Sequence, residues 1–486
     1  MRSFLLSKVA IPLHLAFIAC YFACVRIGPG SVVEYLPLAW FAAGLIEITL
    51  LFPTARKGEE VYDARHRVWI SILKDPVFHV GVVGFLFLLL QTLNGPRSLV
   101  FSRETGGWEF SVARIRDFPA CIDQLASVQG LFWNILVIPA LLVVRNGLGK
   151  KGRQLLLKYL VLVAAMVALY GLIVYDPKAT GPRPFANFPD PISAGIYFFM
   201  HFCVACALYT NEVGMEIRDK FQCHVFFASC LLTLAGALYS LSCLSIALSA
   251  GALILVGIYC MVYLSGRLTT AEKMRMTATG LILIGLIAFL HMVGYPQNRI
   301  HGCTDKIVSG EWTTPEEQAD REVRVAVAGR IFRANVIHGV GTWGYANANC
   351  FGKYIKDNEW ESLQGPEETP ALCGNDSLQS LAEYGVLGFV ILVAPFLILL
   401  FESLVRIGAE FRPKGRKSAD SSSSTEHEAR PFTERIPPLA FAIFLAVGAT
   451  FTVSFFFSVF RQPLILFSWA IFFAVFPTLI RKPSAT

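Results

Sequence analysis

Charge is what this 486-residue chain has least of: 16% of its residues are Asp, Glu, Lys or Arg, against about 25% in ordinary soluble domains. With 55% hydrophobic residues and a mean hydropathy of +0.55, that scarcity excludes a water-soluble fold for most of the chain. The first apolar run lacks the small-residue cleavage pattern of a signal peptide, so it is expected to be retained. No internal repeat is evident either. Repeats and broken helices meeting at the bilayer midplane are the mark of secondary transporters, whereas here the suggestive polar residues gather at one outer surface. The net charge of +7 does not point to nucleic acid, because the basic residues sit in alternate loops as a topological bias.

Apolar runs near the ~20 residues that cross a bilayer recur at 9–26, 35–53, 76–93, 127–145, 155–175, 191–210, 225–241, 243–264, 277–295, 377–401, 436–458 and 463–481. They predict an all-α polytopic membrane protein of about twelve transmembrane helices with one large extracytoplasmic helical loop. The loop basics run Arg56, Lys57, Arg65, Arg67 and Lys74, then Arg145, Lys150, Lys151 and Arg153, then Arg218 and Lys220. Arg267, Lys273, Arg275 and the final Arg481-Lys482 continue the series on the side of Arg2 and Lys8. The positive-inside rule makes that side, and both termini, cytoplasmic. The expected organisation is nine spans in 1–295, an outer cap in 296–376, a tenth span at 377–401, a cytoplasmic linker at 402–435 and two spans in 436–486. The Ser421–Ser424 run gives the linker a low complexity that argues for disorder.

The long polar stretch carries Trp312, Phe332, Trp343, Tyr345, Phe351 and Trp360, too many aromatics for a disordered linker. An ordered cap is expected. Its helix-like run Pro315–Ile337 holds Arg321, Arg324, Arg330 and Arg333. Guanidinium groups grip phosphate through paired hydrogen bonds and stay charged, so such a run suits an anionic ligand at the mouth of a lipid-facing cavity. A surface helix with solvated arginines accounts for the same pattern. At about 100° per residue, Arg321 and Arg324 point one way and Arg330 and Arg333 nearly opposite. The turn Gly339-Val340-Gly341 lets backbone amides approach a ligand, but without the strand–loop–helix setting of a phosphate loop. His338 before it is either a base or, the favoured reading for a histidine without a partner, an interfacial side chain.

Asn375 or Asp376 suits the N-cap of the tenth span. Glu383 lies two turns into that apolar helix, where an ionisable group is costly and functional by default; an interhelical hydrogen bond is the competing reading. Among the twelve cysteines, Cys121, Cys303, Cys350 and Cys373 fall in outward loops and are candidates for pairing. The other eight read as inert buried thiols. Residues 94–126 form a second outward loop of mixed charge without a motif. Prolines and glycine make 176–191 irregular, holding Arg183 in a stiff turn above a span or snorkelling to head groups. Ser242, Ser245, Ser249 and Ala250-Gly251-Ala252 allow close helix packing.

Three parts of the chain resemble the O-antigen ligase/polymerase family of bacterial envelope glycosyltransferases. Asn375-Asp376-x-Leu378-Gln379-x-x-x-Glu383-x-Gly385-x-x-Gly388 is similar to that family's His-Asn-Asp-x-Leu-Gln…Glu-x-Gly-x-x-Gly. An outer-helix arginine leads to the Gly339-x-Gly341 turn, and Arg183…Phe185-x-Asn187-x-Pro189 resembles the family's Arg-x-x-Gly-x-Phe-x-Asn-Pro. The resemblance covers most of 155–401. It implies a metal-free, cofactor-free inverting transfer of glycan from undecaprenyl diphosphate to an acceptor hydroxyl of a lipid or glycan. It also implies a bacterial inner membrane, with the large loop periplasmic. Arg183, Arg321, Arg324, Arg330 and Arg333 would bind the diphosphate, Gly339, Gly341 and Asn375 would shape the turn, and Glu383 would join the catalytic set. The chain also departs from the family. Gly374 replaces the histidine, Ser249-Ala250-Gly251 loses an arginine, and the proline before the Gly-x-Gly turn is absent. The base is then His338 or Asp376, or is dispensable, or the chain binds lipid-linked glycan in an export assembly without transferring it.

Overall fold

A computed structural model describes residues 59–174 (apart from 96–97, 104–105, 112 and 116–117), 185–213 (apart from 189) and 220–264 (apart from 241). It further describes 315–363, 372–411 and 436–480, with Gly44 and isolated positions between 269 and 285. The runs expected at 9–26, 35–53 and 277–295, the linker from 412 onward, Arg183 and Cys303 lie wholly or mostly outside the described residues.

What is described is mostly helical. In chain order the helices are α1 (Val61–Leu73), α2 (Pro76–Leu93), α3 (Gln124–Leu142), α4 (Lys150–Val174), α5 (Pro191–Val213) and α6 (Lys220–Tyr239). Then come α7 (Cys243–Leu264), α8 (Pro315–Ala334), α9 (Ala348–Tyr354), α10 (Asp376–Phe411), α11 (Pro438–Ser454) and α12 (Pro463–Leu479). Among the described residues six of these are long and apolar enough to cross a membrane: α2, α4, α5, α6, α7 and α10. Shorter apolar helices cover Leu136–Gly147, Pro438–Ser454 and Leu464–Leu479. This is a membrane protein by the length and composition of its helices.

Three features depart from the expected organisation. A two-stranded antiparallel hairpin, β1 (Leu99–Ser102) with β2 (Gly107–Phe110), occupies the second outward loop. The run 61–73, expected as loop, is helical. The tenth span continues as helix to Phe411 rather than ending at 401, with Arg406 bound to Glu402 one turn back and to the Pro477 carbonyl.

The chain divides into two compact units. One comprises 1–149, 302–396 and 449–470; the other comprises 150–301, 397–448 and 471–486. In the first, Asp75 caps α2 by accepting from the Val77 amide at 3.1 Å, and Pro76 suits the first helical position. Asp75 also receives Arg145 at 2.6 Å and Asn146 at 2.8 Å; both sit in the π-helical turn Val143–Gly147 that ends α3. At the other end of α2, Asn94 binds the carbonyls of Ile115 (2.9 Å) and Pro119 (3.1 Å), which delivers Cys121 and Ile122 to the cap. The cap core is built on one face of α8: Val323, Val327, Ala328 and Ile331 pack with Tyr345, Phe351, Leu363 and Ala382. Of the aromatics that point to an ordered segment, Tyr345 and Phe351 lie in this core and Phe332 and Trp360 pack against it, while Trp312 lies outside the described residues.

In the second unit, α5 is buried nearly all round. Gly195 lies so close to Ser245 and Ser240 that a side chain there would strike both hydroxyls, the close approach expected of the serine-rich run. Phe185 and Phe188, in the turn before α5, pack edge-on against Phe198. Lys158 binds Glu212 at 2.6 Å and Gln222 at 2.8 Å. Ser249 is buried, while Ala250 is exposed.

Cys121, Cys350 and Cys373 are not disulfide-bonded, so the pairing expected of the outward-loop cysteines does not involve them. Each is buried separately; burial pushes the Cys350 and Cys373 thiols up to about 12. Cys243, expected to be inert, is instead disulfide-bonded.

Candidate functional site

The site begins with a break in α10. At Gly385 the backbone adopts φ 66° and ψ −176°, a region open essentially to glycine alone. A break of this kind strands backbone groups of the helix without partners, a costly state inside a membrane. Here the segment Val336–Gly341 lies across it and supplies them. Val340 and Gly341 donate to the carbonyls of Ala382 (3.1 Å) and Glu383 (2.8 Å), while Val386 and Leu387 donate to those of Val336 (2.8 Å) and Ile337 (3.2 Å). The strap approaches so closely that a Cβ on Gly339 would collide with the Glu383 carbonyl, and one on Gly385 with that of Ile337. Gln91 of α2 fastens both pieces, its side-chain amide donating to the His338 and Glu383 carbonyls at 3.1 Å each. The Gly339-x-Gly341 turn therefore spends its amides Val340 and Gly341 on α10.

The motif at the start of α10 can be followed side chain by side chain. Asn375 is the cap, its Oδ1 accepting from the Leu378 amide at 2.9 Å. Asp376 Oδ2 accepts from the Phe460 amide at 2.7 Å and so anchors the turn 455–462. Gln379 accepts from the Cys373 amide at 3.0 Å and donates to Glu383 Oε1 at 3.1 Å. Glu383, with 0% exposure, receives Arg461 Nη2 on its other oxygen at 2.9 Å.

Arg461 is the residue that reading the sequence missed. It is the one charge in the short turn between α11 and α12. Its Nε stands 4.0 Å from Asp376 Oδ1, and its guanidinium lies 5.1 Å from the centre of the Trp343 ring. Burial works against its charge, but the Glu383 and Asp376 carboxylates outweigh that, so its proton is held more tightly than usual. Trp343 itself is held at φ 59°, a left-handed conformation that costs a bulky residue about 1–3 kcal/mol and tends to persist at functional sites.

These groups surround a hollow of about 170 Å³ lined by Asp376, Arg461, Trp343, Ser380, Tyr384 and Phe460 among others. Asp376 Oδ1 is buried without a hydrogen-bond partner. Leu392, Phe396 and Leu466 belong both to this wall and to that of a second, apolar cavity of about 460 Å³, whose lining includes Trp69, Phe78, Phe85 and Val137.

The other expected site residues fall elsewhere. Arg324 is paired with Asp320 and reaches the Leu372 carbonyl. Arg330 is paired with Glu359 and donates to the Tyr354 carbonyl at 2.8 Å. Arg333 is exposed, and His338 is half-buried in the strap and not among the residues lining the hollow. Arg321 is different. Its guanidinium lies 5.1 Å from the centre of the Phe457 ring, its stem runs past Gly374, and it has no carboxylate partner among the described residues. Gly374, at φ 80°, donates its amide to Ser458 at 3.1 Å. No group of three or more His, Cys, Asp or Glu suited to a metal occurs among the described residues.

No protein-family model matches this chain, and no curated protein is similar to it in sequence.

Proposed function

We propose that this protein is a membrane glycosyltransferase. It moves a glycan from undecaprenyl diphosphate to an acceptor hydroxyl at the outer face of a bacterial inner membrane, as an O-antigen ligase-like enzyme or a polysaccharide polymerase. The reading is carried by one observation: a small hollow, bordered by the charged Asp376 and Arg461, shares a wall with a much larger apolar cavity. A transferase acting on lipid-linked glycan needs that same division: an apolar bed for the donor's hydrocarbon tail, beside a small chamber with charged and hydroxyl groups where the sugars react. The disulfide-bonded Cys243, the first residue of α7, supports an extracytoplasmic setting for the start of that helix, since disulfides persist in oxidising compartments.

The diphosphate needs cations. Of the arginines at hand, Arg324 and Arg330 are already paired, which leaves Arg321, beside Gly374 and the turn 455–462, as the guanidinium best placed to hold it. In liposomes containing full-length protein and a synthetic undecaprenyl-diphosphate-linked glycan, Arg321→Ala is expected to lower transfer about 100-fold, the scale of losing one donor to developing charge. Undiminished transfer by Arg321→Ala removes that role. In cells, loss of a ligase leaves long glycan on the carrier lipid, and loss of a polymerase leaves single repeats.

A second reading has its own support. Gly374, where the family carries histidine, offers neither a base nor an acid, which favours a relative that binds lipid-linked glycan within an export assembly without transferring it. Donor binding with no turnover over long incubation would select that reading.

A further inference from the structure

The hollow beside Asp376 has the wrong charge for a diphosphate. The Arg461 guanidinium that borders it is already matched by Glu383 at 2.9 Å, so the Asp376 carboxylate is left in excess. One Asp376 oxygen is occupied by the Phe460 amide. The other, Oδ1, is buried, lacks a hydrogen-bond partner and borders the hollow. A buried acceptor left open is costly and calls for a donor. Beside the aliphatic Leu392, Val393 and Leu466, the wall offers hydroxyls and aromatic faces: Ser377, Ser380 and Tyr384 on α10, with Trp343, Phe460 and Trp469. Hydroxyl partners and flat rings together suit a sugar, whose ring has an apolar face and hydroxyl edges.

We propose that this hollow is the acceptor subsite, taking a hydroxyl-bearing sugar ring, and that Asp376 Oδ1 is the base that receives the proton of the attacking hydroxyl. The assignment rests on the transferase reading above and deepens it. In the step, the acceptor O–H proton passes to Asp376 Oδ1 while the hydroxyl oxygen forms a bond to the anomeric carbon of the donor. The bond from that carbon to the diphosphate oxygen breaks, its electron pair leaving with the diphosphate. The carboxylate ends protonated and gives the proton to solvent when product departs. Asp376 would in this way do the work that Gly374 cannot. The Phe460 amide fixes one carboxylate oxygen so that the other faces the acceptor, and Arg461 with Glu383 holds the wall behind it.

The test uses full-length protein in liposomes, a synthetic undecaprenyl-diphosphate-linked glycan as donor and a soluble oligosaccharide as acceptor, with donor binding measured on the same preparations. Asp376→Asn keeps an acceptor for the Phe460 amide but takes no proton. It is expected to bind donor as the wild type does and to lose transfer 100-fold or more, the range for removing a general base. Transfer by Asp376→Asn within about threefold of wild type overturns the assignment while leaving the transferase reading intact. Wild-type protein that binds donor and never transfers it refutes the transferase reading and the assignment with it. Should Asp376→Asn fail to fold, Asp376→Glu is read in its place. There, a lowered kcat and raised acceptor KM at constant donor KM are expected, and a change confined to donor KM overturns the assignment.

Discussion

Gly385→Ala is the sharpest test of how the site is built. Alanine cannot hold φ 66°, ψ −176° without strain of about 1–3 kcal/mol, and its Cβ would drive into the Ile337 carbonyl. The helix must then straighten or the strap must lift away, and either outcome breaks the four backbone hydrogen bonds that join 336–341 to 382–387. At roughly 0.5–1.5 kcal/mol each, with the strain added, the loss is on the order of 5 kcal/mol. Gly251→Ala is the control, because a Cβ there meets nothing and alanine favours the helix by about 1 kcal/mol. The assay is a thermal ramp in detergent with site-resolved maleimide labelling. Cys121 touches the strap at Gly341, and Cys373 is a buried thiol held up to about 12; both should label at a markedly lower temperature in Gly385→Ala than in wild type. Unchanged melting and unchanged labelling would mean that the strap does not depend on the break.

Two further perturbations probe the charges. Arg461→Met leaves Glu383 buried without its ion partner, which costs about 3–5 kcal/mol; combining it with Glu383→Gln should recover a large part, and simple additivity in a double-mutant thermal series would deny the coupling. The Arg330–Glu359 pair should contribute to cap stability in a pH-dependent way. The Arg330 guanidinium holds the Glu359 carboxyl down at about 2 from an ordinary 4.5, so the stabilisation is complete above about pH 4.5 and fades as pH falls towards 2. Because the pair is partly solvated, the amount is about 1 kcal/mol or less; Glu359→Gln should abolish this acid-side slope in melting experiments, and an unchanged slope would assign it to other groups.

Much of this was legible in the sequence. The apolar runs at 76–93, 127–145, 155–175, 191–210, 225–241, 243–264, 377–401, 436–458 and 463–481 each fall on a helix. Hydrophobicity sustained over a bilayer's width is too long for a strand, and in lipid a helix satisfies its backbone within itself. Glu383 stood out because charge inside such a run is rare. Other features were hidden for physical reasons. The Gly385 break leaves no trace in hydropathy, since apolar residues continue on both sides and the strap that stabilises it comes from 45 or so residues earlier. The opposed directions of Arg321–Arg324 and Arg330–Arg333 follow from helical geometry, and so does the i,i+4 pairing of Asp320 with Arg324, but the pairing of Arg330 with Glu359 depends on tertiary folding. Arg461 does carry a signal in the sequence: a lone charge in a turn of a few residues between two apolar helices.

A broken membrane helix is also the signature of transporters, in which the freed carbonyls and helix ends coordinate an ion or substrate near the midplane. The break in α10 is of another kind. The Ala382 and Glu383 carbonyls are occupied by the Val340 and Gly341 amides, the Val386 and Leu387 amides are occupied by strap carbonyls, and Gln91 adds a further donor to Glu383. Little backbone polarity is left there for a travelling ion, so the break serves to seat a rigid crossing segment. That segment leads directly into Trp343, which faces Arg461. The break thereby fixes the wall of the hollow, and a wall so tightly cross-bonded suits a site that must hold two reacting groups in register more than one that must open alternately to the two sides of a membrane.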